Sequence, residues 1–202
     1  MNLLFDFDGT ICDSLEALLE SANPAMRFLR KPELTSKDVR EKGLIRILKE
    51  NKIPRFVLPF IVVYVRRQLA KLIPDLKPFP QISKTIETLS KRHTLGIITS
   101  NSSLNVQTFL KNNNLDKHID FVYSSVNFLD KSARINNALI KHNLNKNETY
   151  FIGDETRDMK AAKHSGVKTI AVTWGIESEK LLSNSKPYLI VRSPNDLLKH
   201  FS

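Results

Sequence analysis

The chain has 202 residues, 41% of them hydrophobic and 26% charged, and these values argue against disorder and for one globular domain, or one domain carrying a smaller one. The formal net charge of +10 favours an anionic partner, and Cys12, the only cysteine, excludes an internal disulfide and fits a reducing cytoplasm. The most apolar segment, residues 56–65, is shorter than the ~20 residues that span a bilayer, and no secretory signal precedes the first apolar run, so we expect a cytoplasmic protein without a membrane partner.

The first predicted element is a strand that starts at the apolar run 3–5 and leads into the sequence DFDGT at residues 6–10. Residues i and i+2 of a strand point to the same side, so Asp6 and Asp8 converge if the strand conformation continues through them. Two carboxylates at such a short distance from each other need a cation between them or a shared proton. Both conditions suit chemistry on a phosphate. Gly9 permits the sharp turn that brings backbone N–H groups near an anion. The same residues also fit a buried strand that ends in a solvated turn.

A helical insert is predicted to follow this strand. Residues 11–80 hold 14 Lys and Arg against 8 Asp and Glu, so the insert carries most of the positive charge. Apolar residues at helical spacing and candidate capping residues define its helices. Four helices are predicted. The first starts after Ser14 and the second near Met26. The third starts at Thr35 or Ser36 and continues through Leu48, and the fourth starts at Arg55 and ends near Ile73.

From Phe79 onward, predicted helices and strands alternate. This alternation is typical of a parallel sheet with helices on both faces, so the predicted fold class is α/β. We expect a core domain of residues 1–13 and 79–202 and a helical cap domain of residues 14–78. The later strands are predicted at 94–99, 121–123, 150–152, 168–172 and 188–191, and the helices at 80–89, 104–112, 133–142, 159–166 and from 194 onward.

Polar residues follow the predicted strands, and ligands of open parallel sheets bind at the carboxyl ends of the strands. Together these residues supply carboxylates, a hydroxyl and an ammonium group, which are the groups needed to hold Mg²⁺ and a phosphate. The residues are Asp6 and Asp8 after the first strand, Ser100 and Asn101 after the second, Lys131 a few residues after the third, and Asp154 and Asp158 after the fourth.

These motifs resemble those of the haloacid dehalogenase superfamily of phosphohydrolases, in the branch with a helical cap that contains phosphoglycolate phosphatase-like enzymes. The sequence DFDGT looks like the first motif, Ser100 like the second, Lys131 like the third, and Gly153-Asp154 with Asp158 like the fourth. The resemblance covers nearly the whole chain. It implies a Rossmann-like parallel sheet core of the HAD-like fold, with the cap inserted after the first strand.

The resemblance also implies a function: a Mg²⁺-dependent phosphomonoesterase for a small phosphorylated metabolite. Asp6 would be the nucleophile that forms an aspartyl phosphate, and Asp8 the general acid and base. The implied metal ligands are the Asp6 and Asp154 carboxylates and the Asp8 backbone carbonyl, with Asp158, or alternatively Glu155, in the outer shell. The implied phosphate-binding residues are Ser100, Asn101, Lys131, Gly9 and Thr10, and Thr10 is also expected to hydrogen-bond Asp8.

Other interpretations stay open. The basic insert suggests a phosphatase for nucleotides or nucleic-acid ends, phosphosugar mutases keep the same motifs, and a binding protein could keep the fold, although the intact pair of Asp6 and Asp8 disfavours that. Single residues also have structural alternatives: Ser100 as a helix cap, Asn101 as a loop-fixing amide and Lys131 as a solvated lysine. The insert arginines that are candidate substrate contacts are Arg27, Arg46, Arg66 and Arg67. The sequence does not distinguish a monomer from a homodimer.

Overall fold

The sheet consists of parallel strands whose carboxyl ends meet at one edge. In a computed structural model that describes residues 1–54, 56–124 and 131–201, the strand order is β3-β2-β1-β4-β5-β6, and every neighbouring pair is parallel. This confirms the predicted α/β class. The strands are β1 (Asn2–Phe5), β2 (Thr94–Thr99), β3 (Phe121–Ser124), β4 (Thr149–Gly153), β5 (Lys168–Val172) and β6 (Leu189–Val191).

The register of the central strands places the candidate residues together. Phe5, the last residue of β1, pairs with Ile97 of β2 and Ile152 of β4. The Asp6 N–H continues this ladder for one more residue by donating to the Ile152 carbonyl at 2.8 Å. The residues that follow β1 therefore lie between those that follow β2 and those that follow β4.

The helices cover the sheet and form the insert. The insert contains α1 (Leu15–Phe28), α2 (Ser36–Lys42), α3 (Leu44–Glu50) and α4 (Leu58–Leu72). The remaining helices are α5 (Ile82–Ser90), α6 (Ser103–Asn112), α7 (Lys131–Lys141), α8 (Thr156–His164), α9 (Glu179–Asn184) and α10 (Pro194–Phe201). None of these helices, as far as the chain is described, combines the length and apolar character that a bilayer crossing requires.

Two insert helices differ from the prediction. The helix expected from Thr35 through Leu48 is divided at Gly43, whose φ of +74° is incompatible with helix continuation. The two patterns expected on either side of Pro24 form the single helix α1, because its buried face continues past the proline to Met26. The glycine conformation thus ends α2, whereas packing of the buried face carries α1 past its proline.

The fourth predicted helix of the insert, expected to end near Ile73, is confirmed as the helix α4. Arg55, where that prediction starts, and residues 125–130, which precede Lys131, lie outside the described residues.

The insert has a hydrophobic cluster of its own. Leu19 and Met26 of α1, Val39 of α2 and Ile47 of α3 are buried in it. Ile176, from the loop after β5, is buried in the same cluster, so a core side chain anchors the insert to the sheet. Burial of one such aliphatic side chain contributes about 1.5–3 kcal/mol relative to exposure.

Two linkers join the insert to the sheet, and they lie side by side. The Asp13 N–H donates to the Lys77 carbonyl at 3.1 Å, and the Phe79 N–H donates to the Ile11 carbonyl at 3.0 Å. The insert therefore leaves and rejoins the core at one place, close to Asp8. The domain boundaries at 13/14 and 78/79 stay a prediction.

Candidate active site

A buried set of ion pairs lies at the end of β1. The Nζ of Lys131, the first residue of α7, is 2.7 Å from Asp6 Oδ2 and 2.5 Å from Asp158 Oδ1. The side chains are at most 6% exposed. Burial alone would lower the Lys131 pKa, but the Asp158 and Asp6 carboxylates outweigh it and the pKa is raised. Lys131 is therefore a charged site residue and not a solvated lysine.

The Asp6 carboxylate is held by donors on both oxygens. Oδ1 accepts from the Phe7 N–H at 2.8 Å, while Oδ2 faces Lys131. Burial raises the pKa of Asp6 to about 6, and Lys131 opposes the rise. At neutral pH the group is therefore mostly ionised and in the form that can attack phosphorus.

The Asp8 carboxylate is bound by Asn101 and Ser14. Asn101 Nδ2 lies 3.0 and 3.3 Å from the two Asp8 oxygens. Burial raises the pKa of Asp8, and the hydrogen bonds from Asn101 and Ser14 oppose the rise. A raised pKa suits a group that releases and takes up a proton near neutral pH.

The bonds to Asp8 change the interpretation of two side chains. Ser14 stands at the N-cap position of α1, but its side chain makes no capping bond and serves Asp8 instead. The side-chain oxygen of Asn101, Oδ1, accepts from the Ser102 N–H and from Asn105 Nδ2, both at 2.8 Å. These two bonds fix the orientation of the Asn101 side-chain amide. A contact of Asn101 with phosphate stays a prediction. Ser102, and not Ser100, caps α6 by accepting from the Asn105 N–H.

The donors of the turn at Gly9 and Thr10 bind other groups of the protein, and a phosphate contact of these two residues stays a prediction. The Gly9 N–H donates to the Cys12 carbonyl at 2.9 Å and the Thr10 N–H to the Phe7 carbonyl at 3.3 Å. The Thr10 hydroxyl donates to Asp154 Oδ1 at 2.8 Å. Because a hydroxyl has one hydrogen and that of Thr10 goes to Asp154, Thr10 does not donate to Asp8, and the hydrogen bond expected from Thr10 to Asp8 is wrong.

Asp154 is enclosed by the loops around it. Its Oδ2 accepts from the Ile176 N–H at 2.8 Å, and no part of the residue is exposed. Burial raises the pKa of Asp154 well above its ordinary value, and Glu155, Asp158 and Asp6 raise it further. The Trp174 indole donates to the Thr10 carbonyl at 3.1 Å, so this tryptophan packs beside the site.

Gly9→Ala is expected to destabilise this packing. A Cβ at Gly9 would lie 2.1 Å from Asp154 Oδ2, and the φ of Gly9 is +75°. The backbone strain costs about 1–2 kcal/mol and the collision about 1–3 kcal/mol more. Gly166→Ala is the matched control, because Gly166 has a φ of +74° but only Lys146 Cδ at 3.9 Å. Denaturant unfolding should show the larger loss for Gly9→Ala, and equal losses would contradict the packing argument.

A cluster of buried carboxylates adjoins Lys131. Asp6, Glu155 and Asp158 each place an oxygen within 4.8 Å of the others. Glu155 accepts from Arg157 Nε at 2.6 Å, and burial raises the pKa of Glu155 to about 7 while Arg157 opposes the rise. Both candidates for the outer shell, Asp158 and Glu155, thus belong to the cluster. Arg157, which the sequence suggests is a surface residue, is paired inside the site.

The site fits a hard divalent cation. Its candidate ligands are carboxylate oxygens and the backbone carbonyl oxygen of Asp8, and Mg²⁺ prefers such oxygen ligands. The acids of the site outnumber the bases Lys131 and Arg157. Of the predicted ligands, Asp6 and Asp158 lie in the cluster of three carboxylates, whereas Asp8 and Asp154 are not members of it. The acids are Asp6, Asp8, Asp154, Glu155 and Asp158.

The insert closes over these residues. Arg66 Nη2 of α4 donates to the Ser100 carbonyl at 3.1 Å, and the Ser178 N–H donates to the Arg40 carbonyl at 2.8 Å. Burial lowers the pKa of Arg66, with Arg157 acting in the same direction and Asp8 against it. Arg66 is therefore the insert arginine, among those singled out from the sequence, that the structure brings to the site.

Known proteins are similar to this chain over nearly their full lengths. The haloacid dehalogenase-like hydrolase family matches residues 3–172. The chain is 29% identical to a phosphoglycolate phosphatase of Synechococcus elongatus, and the match covers 98% of this chain and 95% of that protein. It is 27% identical to the pyrophosphatase PpaX of Anoxybacillus flavithermus, and that match covers 97% of this chain and 94% of that protein. A solved haloacid dehalogenase-like hydrolase of Streptococcus pneumoniae superimposes with a TM-score of 0.85 at 28% identity, covering 100% of this chain and 98% of that one. The chain thus belongs to the haloacid dehalogenase-like hydrolase family, as its motifs predict.

Proposed function

We propose that this protein is a Mg²⁺-dependent phosphatase that hydrolyses a small phosphorylated metabolite through an aspartyl phosphate on Asp6. The observation that supports this most is that one buried site holds Asp6 against Lys131 and Asp8 against Asn101. Relatives named phosphoglycolate phosphatase and pyrophosphatase agree with it. In this proposal residues 14–78 act as a cap domain over the core domain of residues 1–13 and 79–202.

The two aspartates divide the chemistry. An Asp6 oxygen attacks phosphorus, the bond from phosphorus to the leaving oxygen breaks, and Asp8 gives its proton to that oxygen. Asp8, now a carboxylate, takes a proton from a water molecule. The water oxygen attacks phosphorus, the bond from phosphorus to the Asp6 oxygen breaks, and inorganic phosphate leaves. Asn101 and Ser14 hold Asp8 in place through both steps. Lys131 lowers the charge repulsion between Asp6 and an incoming phosphate.

The metal would be held by this chain's acidic residues. The proposed ligands are the carboxylates of Asp6 and Asp154 and the backbone carbonyl of Asp8, with Asp158 and Glu155 beside them. When bound, Mg²⁺ neutralises charge on the phosphate and on the leaving oxygen.

The proposal is tested by phosphate release. The protein is assayed against a broad panel of phosphomonoesters with Mg²⁺, after chelation of the metal, and after Mg²⁺ is added back. We expect hydrolysis that stops on chelation and returns with Mg²⁺. Hydrolysis of no ester in the panel would contradict the phosphatase assignment, and undiminished hydrolysis after chelation would contradict the metal requirement.

Arg66→Met is expected to weaken catalysis through the cap. The substitution removes the charged hydrogen bond to Ser100 that joins α4 to the core, a bond worth about 1.5–3 kcal/mol, so kcat/KM should fall by about tenfold or more. Arg67→Met, at the exposed neighbouring position of the same helix, is the matched control. Steady-state kinetics on one phosphomonoester compare the two, and equal values of kcat/KM would show that this contact does not support turnover.

A further inference from the structure

A cavity of about 150 Å³ lies between the insert and the strand ends. One end is lined by groups of the catalytic site, among them Asp8, Ser100 and Asn101. The remainder of its wall is aliphatic and comes almost entirely from the insert, with Met26 of α1 and Val65 of α4 as examples. We call this aliphatic part the apolar chamber, lined by Leu18, Met26, Leu44, Leu48, Val65 and Ile176 with neighbouring aliphatic side chains.

The charged groups of this cavity are confined to its catalytic end. Asp8, Glu155 and Arg157 belong to the core. Arg66 is the one charged side chain that the described part of the insert contributes to the lining, and it binds the Ser100 carbonyl at that same end. The apolar chamber therefore offers no charged partner, among the described residues, to a group that enters it.

The chamber lies where the leaving group must go. Asp8, which protonates the leaving oxygen in the proposed mechanism, lines the cavity, so the alcohol attached to that oxygen extends away from Asp8 into the remaining space. A carboxylate or a second phosphate there would lose its hydration without gaining a partner, which is strongly unfavourable. An alkyl or aryl group would exchange water for aliphatic contacts. The whole cavity of about 150 Å³ has the volume that holds benzene in an apolar protein interior, and the phosphate takes up part of it, so the group that enters the chamber is small.

We propose that the substrate is a phosphate monoester of an uncharged, apolar alcohol, alkyl or aryl, that fills the apolar chamber. This inference rests on the proposed phosphatase function and narrows its substrate class. It separates this chain from what the names of its relatives suggest, because phosphoglycolate and pyrophosphate both carry a second anionic group beyond the scissile bond.

A substrate series tests the inference on the wild-type protein. Ethyl, propyl and butyl phosphate have leaving groups of similar basicity and differ in apolar length, and 2-phosphoglycolate carries the anionic group. We expect kcat/KM to rise about fourfold for each added methylene and to be lower for 2-phosphoglycolate than for ethyl phosphate. Hydrolysis with no dependence on length, or with 2-phosphoglycolate preferred, would overturn the inference and leave the phosphatase assignment standing. Hydrolysis of none of these four or of any ester in the wider panel would overturn both.

Val65→Arg adds a test of the chamber itself. The new cation would stand in the aliphatic lining, so the ratio of kcat/KM for butyl phosphate to that for 2-phosphoglycolate should fall at least tenfold. Val63→Arg is the matched control, because Val63 is on the same helix, is 50% exposed and does not line the cavity. Because the ratio is taken within each protein, a smaller folded fraction does not alter it. A ratio that is the same in both variants would contradict the placement of the leaving group.

Discussion

Asp6→Asn is expected to reduce turnover by on the order of 10⁴-fold or more, because a carboxamide cannot form the aspartyl phosphate. The fold should tolerate the change. Burial raises the pKa of Asp6 to about 6, so at neutral pH the ionised carboxylate is less favourable in the folded protein than in the unfolded chain. The neutral side chain removes that cost and leaves Lys131 paired with Asp158.

The measurement is phosphate release together with the thermal unfolding midpoint. Asp116→Asn, at an exposed position outside the site, is the control for the loss of one carboxylate and should keep full turnover. We expect Asp6→Asn to be inactive with an unchanged or higher midpoint. Normal turnover by Asp6→Asn would rule out Asp6 as the nucleophile, and inactivity with a collapsed midpoint would mean that the residue is needed for folding.

Lys131→Met is expected to have the largest effect on stability. It removes the ammonium group that lies 2.7 Å from Asp6 and 2.5 Å from Asp158 and leaves two buried carboxylates without their counter-charge. Breaking a buried pair in this way costs about 3–5 kcal/mol. Turnover should also fall, by about 10²–10³-fold, because the positive charge beside the phosphate is lost.

Urea unfolding with and without Mg²⁺ measures this effect. Lys141→Met, at the exposed last residue of α7, controls for removal of a lysine from the same helix. A cation that binds the two carboxylates left without a counter-charge stabilises the folded state, so Mg²⁺ should restore part of the loss in Lys131→Met. Equal free energies of unfolding for the two variants would contradict the structural role of Lys131.

The sheet was predictable because its strands are short apolar runs with clear boundaries. The strands β2 and β5 have the predicted limits, 94–99 and 168–172. The insert was less predictable, because its boundaries depend on tertiary contacts. The break at Gly43 is an example: a Cβ there would lie 2.7 Å from Glu177 Oε1, a core residue distant in sequence.

The main residues of the site were predictable from topology, because the carboxyl ends of parallel strands converge. This reasoning brings Asp6, Lys131 and Asp158 together, as the structure does. The hydrogen bonds within the site were not predictable, because they depend on how the turns place each side chain. Neither the bond from Ser14 to Asp8 nor the bond from Thr10 to Asp154 has a signal in the sequence.

The sequence did not decide whether Glu155 or Asp158 is the outer-shell partner of the metal. In the first turn of a helix, residues three apart lie close together, so Glu155 and Asp158 were both candidates for the outer shell. The structure shows that they are joined in one capping box, in which the Glu155 N–H donates to Asp158 Oδ2 at 3.1 Å. This hydrogen bond couples the two residues, and the sequence alone does not show it.

The central claim is that Asp6 carries the phosphoryl group during turnover. The most direct test is to mix the protein with Mg²⁺ and a hydrolysed phosphomonoester, quench with acid during turnover, and analyse the peptides by mass spectrometry. We predict a mass increase of one phosphoryl group on the peptide that contains Asp6, localised to that residue and absent from Asp6→Asn. Phosphate release at the normal rate with the phosphoryl group on another residue, or on none, would contradict the claim.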